Sequence, residues 1–88
     1  MARTAGRAAT LIARYIEDNP HAAGLDEARL IVSGVPVWAL VGHWRAIGED
    51  IAQVAHDYDL PDEAVEAALA YYRQHAALID ARILANTL

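Results

Sequence analysis

From Pro61 to Thr87 the chain contains no glycine and no further proline, and eight of its positions are alanine. Alanine is the strongest intrinsic helix former, and glycine and proline are the residues that interrupt helices. The stretch predicts one helix reaching about Thr87, on the order of 40 Å long at 1.5 Å per residue. Within it Val65, Leu69, Tyr72, Ala76, Ile79 and Ile83 recur at alternating spacings of four and three. That is the a/d stripe of a helix–helix seam. Val65, Leu69 and Tyr72 are expected to cover the helices that precede them. Ile79 and Ile83 lie too far along to find a partner in so short a chain and point to a second one. The stripe, with Trp38 and Trp44, is therefore the candidate partner or dimer surface.

The 88 residues make one domain, 56% hydrophobic and too apolar for disorder. Twenty alanines imply thin, closely packed helices. The chain has no cysteine, so disulfides, thiolate metal sites and thiol nucleophiles are excluded. No run reaches the ~18 apolar residues of a membrane span, and the opening "MARTAGRAATLIARYIEDNP" lacks a signal-peptide core, so the expected location is the cytoplasm. The net charge of −5 is unevenly spread. Arg3, Arg7 and Arg14 stand at the start with no acid among them. Glu49, Asp50, Asp57, Asp59, Asp62, Glu63 and Glu66 form a later block with no Lys or Arg. This block reads either as a solvated face or as a patch that repels nucleic acid and attracts a basic partner.

Two segments follow from these signals: an N-terminal helix and loop over 1–27, and a helical domain over 28–88. Thr10 is a candidate cap for a helix carrying Leu11, Ile12, Tyr15 and Ile16 on one face. Ser33-Gly34, between Ile31-Val32 and Val35-Val37, predicts a short hairpin with strands 29–32 and 35–37. A helix from Trp38 to Ile47, a turn over 48–50 with an N-cap, and a short helix "IAQVAHDY" follow. Pro61 suits the first position of the last helix.

The segment "IAQVAHDYDLPDEAVEAALAYY" has helix-turn-helix spacing. Ala55 is the small residue of the first helix, Asp59 falls in the turn, and Val65 follows ten residues after Ala55. Val54, Tyr58 and Leu60 supply the locking apolar positions. The surface chemistry is wrong for DNA, because readers carry Arg, Lys, Asn or Gln early in the second helix. Here Asp62, Glu63 and Glu66 occupy that place. DNA contact is left to Arg3, Arg7 and Arg14. His21, His43, His56 and His75 form no i, i+4 ligand pair, and no phosphate loop or nucleophile constellation is present. An enzyme is not expected, nor a metal site.

"GVPVWALVGHW", "IAQVAHDYDLPDEAVEAALAYYRQH" and "IDARI" together resemble the small bacterial family called domain of unknown function 433, over about residues 28 to 84. Members commonly have a fuller glycine-rich entry, reduced here to "SGVPV". The resemblance implies a mainly α, helix-turn-helix-like (homeodomain-like) domain with a short β-hairpin near 29–37, a long C-terminal helix and a homodimeric state. It also implies an antitoxin of a type II toxin–antitoxin system, paired with a PIN-like nuclease toxin. Such a nuclease holds metal with carboxylates, so Arg73 and Arg82 are the toxin-contacting candidates, acting by steric and electrostatic occlusion. Some related proteins are similar to haem-binding modules. In that alternative haem is the cofactor and His75 the candidate ligand. A DNA-binding autorepressor working through the basic N-terminal arm is the other alternative.

Overall fold

The computed structural model describes residues 6–17 and 24–87. Among these, helices α1 (Gly6–Tyr15), α2 (Val37–Ala46), α3 (Ile51–Tyr58), α4 (Asp62–Gln74) and α5 (Ala76–Thr87) carry the fold, with short strands β1 (Ile16–Glu17) and β2 (Arg29–Leu30). A single 3-10 turn covers Leu25–Glu27. The expected class is observed: mainly α, with a small antiparallel strand pair and a long helical C-terminal segment.

Helix α4 is the hub. Ala64, Val65, Ala67, Ala68 and Leu69 are all essentially buried, so this helix is covered on more than one side. The small alanines let neighbouring backbones come close, and Val65 and Leu69 supply the apolar bulk. Leu11 and Ile16 belong to the same buried cluster, which also includes Leu40, Val41, Val54 and Ile79. The N-terminal helix is thus part of the one core. It runs from Gly6 through Thr10, so Thr10 is interior to it rather than its cap.

The expected hairpin is rearranged. β2 pairs antiparallel with β1, in the register Ile16↔Leu30 and Glu17↔Arg29. On its other edge it meets only a bridge, Arg29↔Pro36. Leu30 N–H donates to the Val35 carbonyl at 2.8 Å and Val37 N–H to Ala28 at 2.9 Å. Pro36 has no N–H, and α2 begins directly after it, so a longer second strand cannot form. Ile31 and Val32, expected in a strand, lie in the turn. Gly34 N–H closes that turn onto the Leu30 carbonyl at 2.8 Å, and its φ of 74° suits glycine.

The helix-turn-helix spacing is realised in α3 and α4. Asp50 caps α3, its side chain accepting from Gln53 N–H at 3.1 Å. Asp59 ends the helix in the left-handed conformation, φ 56° and ψ 53°. Leu60 N–H then reaches back to the Ala55 carbonyl at 2.8 Å, the longer bond of a Schellman-type ending. Val54 and Val65 are fully buried at the angle between the helices. Pro61 is the N-cap of α4, one residue earlier than expected.

The C-terminal run departs from a straight rod. His75 leaves helical geometry at φ −133° and ψ 37° and divides the run into α4 and α5. Helix α5 folds back so that Ile79 is 0% exposed, and Ile83 packs against the same core. The expectation that Ile79 and Ile83 lack a local partner is therefore corrected. It assumed a straight helix, whereas the bend lets this chain cover them itself. Ile79→Ala should lower unfolding free energy by about 2–5 kcal/mol, a large share of a small domain's stability. Urea denaturation followed by circular dichroism checks this.

Candidate interaction surfaces

The acidic first turns of α4 are met by α1. Arg7 Nη2 donates to Glu66 Oε1 at 2.6 Å. Glu63 Oε1 accepts from Arg14 Nη1 at 3.4 Å and from the Tyr15 hydroxyl at 3.0 Å. The basic start and part of the acidic block, separate in sequence, are thus one set of cross-helix pairs. Two of the three arginines proposed for DNA, Arg7 and Arg14, are engaged with carboxylates of the helix that would enter the groove. Arg3 lies outside the described residues. The pairs are mostly solvent-exposed and each is worth little in stability. Their consequence is geometric, because α1 lies over the face that a reading helix would present.

The a/d stripe is likewise occupied within the chain. Val65, Leu69 and Ile79 are buried, and Tyr72 and Ile83 pack partly buried against the core. Ala76 is half-buried. In this conformation the chain itself covers much of the stripe's apolar surface. Trp38 and Trp44 also pack partly buried against the core. The Trp44 indole N–H is buried without a hydrogen-bond partner among the described residues.

Arg82 is engaged within the chain as well. Its guanidinium donates to Asp26 at 3.1 Å and also to Glu27, and it stands over the Trp38 ring, 5.1 Å from the centroid. Glu27, then Asp26, raise its already high pKa further. The toxin-contacting candidate Arg82 is thus engaged within the chain, where its charge fastens α5 to the 3-10 turn. Arg73 differs: it is exposed, and it makes no ion pair within 4 Å among the described residues. It lines a groove of about 410 Å³ between α1 and α4, with Ala8, Leu11, Leu69 and Ala70 as apolar lining.

His75 sits at the bend, its ring 4.5 Å from that of Tyr71. Among the described residues no group of three or more His, Asp or Glu side chains could hold a metal ion. His43 lies against the edge of Tyr58 and is 2.7 Å from Asp57 Oδ2. Asp57 also accepts from Gln53 at 2.8 Å, and these two hydrogen bonds, His43 first, lower its pKa.

A surface not anticipated from the sequence is the outer side of α5. Ala77, Leu78, Ala81, Leu84 and Ala85 are all exposed there, with Leu84 60% exposed. Separately, the hairpin tip, beside the start of α4, exposes Ile31 at 52% and Val32 at 85%. The positions 78, 81 and 85 form a second apolar spacing beside the stripe. With both sides of the helix apolar, periodicity alone could not tell which would be buried. Exposed apolar surface on a small domain is a candidate contact site.

The clamp that sets this surface joins α2 to α5. Arg45 donates to the Tyr72 hydroxyl and to Asp80 Oδ1, and Tyr72 donates to the same oxygen at 2.8 Å. Hydrogen bonding from Arg45, then from Tyr72, holds the Asp80 carboxyl below its ordinary 3.8. A carboxylate with a lowered folded-state pKa adds stability above its unfolded value and loses it as pH falls through the folded one. The melting temperature should therefore drop below about pH 3.8. Asp80→Asn should flatten part of that acid limb, and salt should weaken the effect because the pair is exposed. Thermal melts across pH and ionic strength check both.

The model of the family described as a protein of unknown function (DUF433) matches residues 27–72, just over half of the chain. The chain belongs to that family. No curated protein and no solved structure matches it. Among the described residues no helix is long and apolar enough to cross a membrane.

Proposed function

We propose that this DUF433 chain is an antitoxin, a non-catalytic cytoplasmic module that binds and occludes a nuclease toxin. The observation that carries the reading is the contrast between its surfaces. The helix that would read DNA is overlaid by α1 through Arg7–Glu66 and Arg14–Glu63. The outer side of α5 and the hairpin tip instead leave Leu78, Leu84, Ile31 and Val32 in water. A polypeptide partner would bury such residues, and nucleic acid would not.

Arg73 is the cation that supports occlusion of a carboxylate-lined, metal-holding site. It is exposed beside the α1–α4 groove and carries no internal partner among the described residues. Its guanidinium can take a carboxylate pair without first giving up a contact. In this reading Arg82 acts indirectly, by keeping α5 and its outer face in place. Neither alternative gains a comparable observation: haem has the single candidate His75, and the DNA arm has two of its arginines paired.

The test is co-expression of this chain, tagged, with the open reading frame beside its gene. A stoichiometric complex whose toxicity this chain relieves is the expected outcome. Leu84→Glu and Arg73→Glu should each weaken that complex by about tenfold or more. Isolation of the chain with nothing bound, and toxicity unrelieved, would overturn the antitoxin reading.

A further inference from the structure

The bend at His75 has no cause in its own sequence. "YYRQHAALID" contains neither glycine nor proline, and the residues on either side are helix formers. The helical ladder nearly survives the break. His75 N–H still donates to the Tyr71 carbonyl at 3.2 Å, and Ile79 N–H to the His75 carbonyl at 3.0 Å. Only the amides of Ala76, Ala77 and Leu78 lack the bond to α4 that a continuous helix would give them. The a/d stripe also runs through the bend without a change of phase, from Tyr72 to Ala76 to Ile79.

What bends the chain is the surface that receives α5. Ile79 enters the core, and Ile83 lies against Gly42, where an added Cβ would stand 4.0 Å from its Cγ2 atom. Arg82 is fastened to Asp26 and Glu27, and Asp80 to Arg45. Each of these contacts joins α5 to α2 or the 3-10 turn. A second copy presents the same receiving surface, with the same charges in the same places.

We propose that α5 exchanges between two copies of this chain. In the resulting swapped dimer α4 and α5 form one straight helix, and each α5 fills the receiving surface of the other copy. Straightening forms the three missing backbone hydrogen bonds. Ile79, Ile83, Arg82 and the Arg45–Asp80 pair keep their contacts, now between chains. Within one chain Tyr72 and Asp80 move about 12 Å apart along the straight helix, and Asp80 instead meets the Tyr72 that stays beside Arg45 in the other copy. The bent monomer and the swapped dimer thus share nearly all their contacts, and concentration and the hinge residue set the balance. A second copy is the occupant because the elements exchanged are identical.

The experiment uses charge reversal on the two sides of one clamp. Full-length Arg82→Glu chain and full-length Asp26→Arg/Glu27→Arg chain, on different tags, are unfolded, mixed and refolded together. Each variant alone places like charges at its own clamp. In a swapped heterodimer both clamps regain opposite charges. The expected result is a heterodimer by native mass spectrometry that melts above either variant alone. Two variants that refold separately, with no heterodimer, would overturn the exchange. Should either variant fail to fold alone, the hinge decides. His75→Ala should raise the dimer share of the otherwise wild-type chain and His75→Gly should lower it, since glycine opposes a continuous helix. A one-chain mass for both at every concentration would overturn the proposal.

Discussion

Burial of α4 is the constraint on which the rest of this structure depends. Ala64, Ala67 and Ala68, together with Val65 and Leu69, leave its N-terminal half almost without exposed apolar surface. An 88-residue chain has few large side chains to bury, and this one has no phenylalanine. It compensates by bringing backbones close across alanine, so that α1, α2 and α3 share one central helix. Small side chains contribute little area each, and the arrangement works only if several elements converge on the same place.

That convergence changes the meaning of the helix-turn-helix. The angle between α3 and α4 is held by Val54, Ala55 and Val65, with Asp59 in a left-handed turn. The same geometry in a DNA reader leaves the second helix free on its outer side. Here α1 lies along it, and Glu63 and Glu66 receive the arginines and tyrosine of α1. An acidic helix that phosphates would repel serves to align the N-terminal helix. The exposed large apolar residues lie instead at the hairpin tip, at Leu25 and on α5.

Helix α5 is held by a different balance. Its apolar anchor is Ile79, and its charged fasteners are Arg82 with Asp26 and Glu27, and Asp80 with Arg45 and Tyr72. The two fasteners face different elements and so fix its rotation about its own axis. Rotation decides which residues meet water. With Ile79 inward, Leu78 and Leu84 are outward. The local preference for a straight helix and the global preference for a covered Ile79 disagree at His75, and packing prevails.

Much was legible in the sequence because it rests on local chemistry. Helix content follows from alanine, the Asp50 cap from a side chain three residues from its amide, and the turns from Asp59 and Gly34. The candidate site was less legible. Arg7 and Glu66 are 59 positions apart, and Arg82 and Glu27 are 55 apart, so no spacing rule connects them. The sequence by itself determined where helices can form, which residues end them, and that α4 and α5 carry an apolar stripe. Only the tertiary structure decided that α1 covers the acidic helix, that the run bends at His75, and that Arg82 is held by Asp26 and Glu27 while Arg73 makes no ion pair among the described residues. Those outcomes depend on which surfaces meet, and backbone propensity carries no information about encounters between segments distant in the chain.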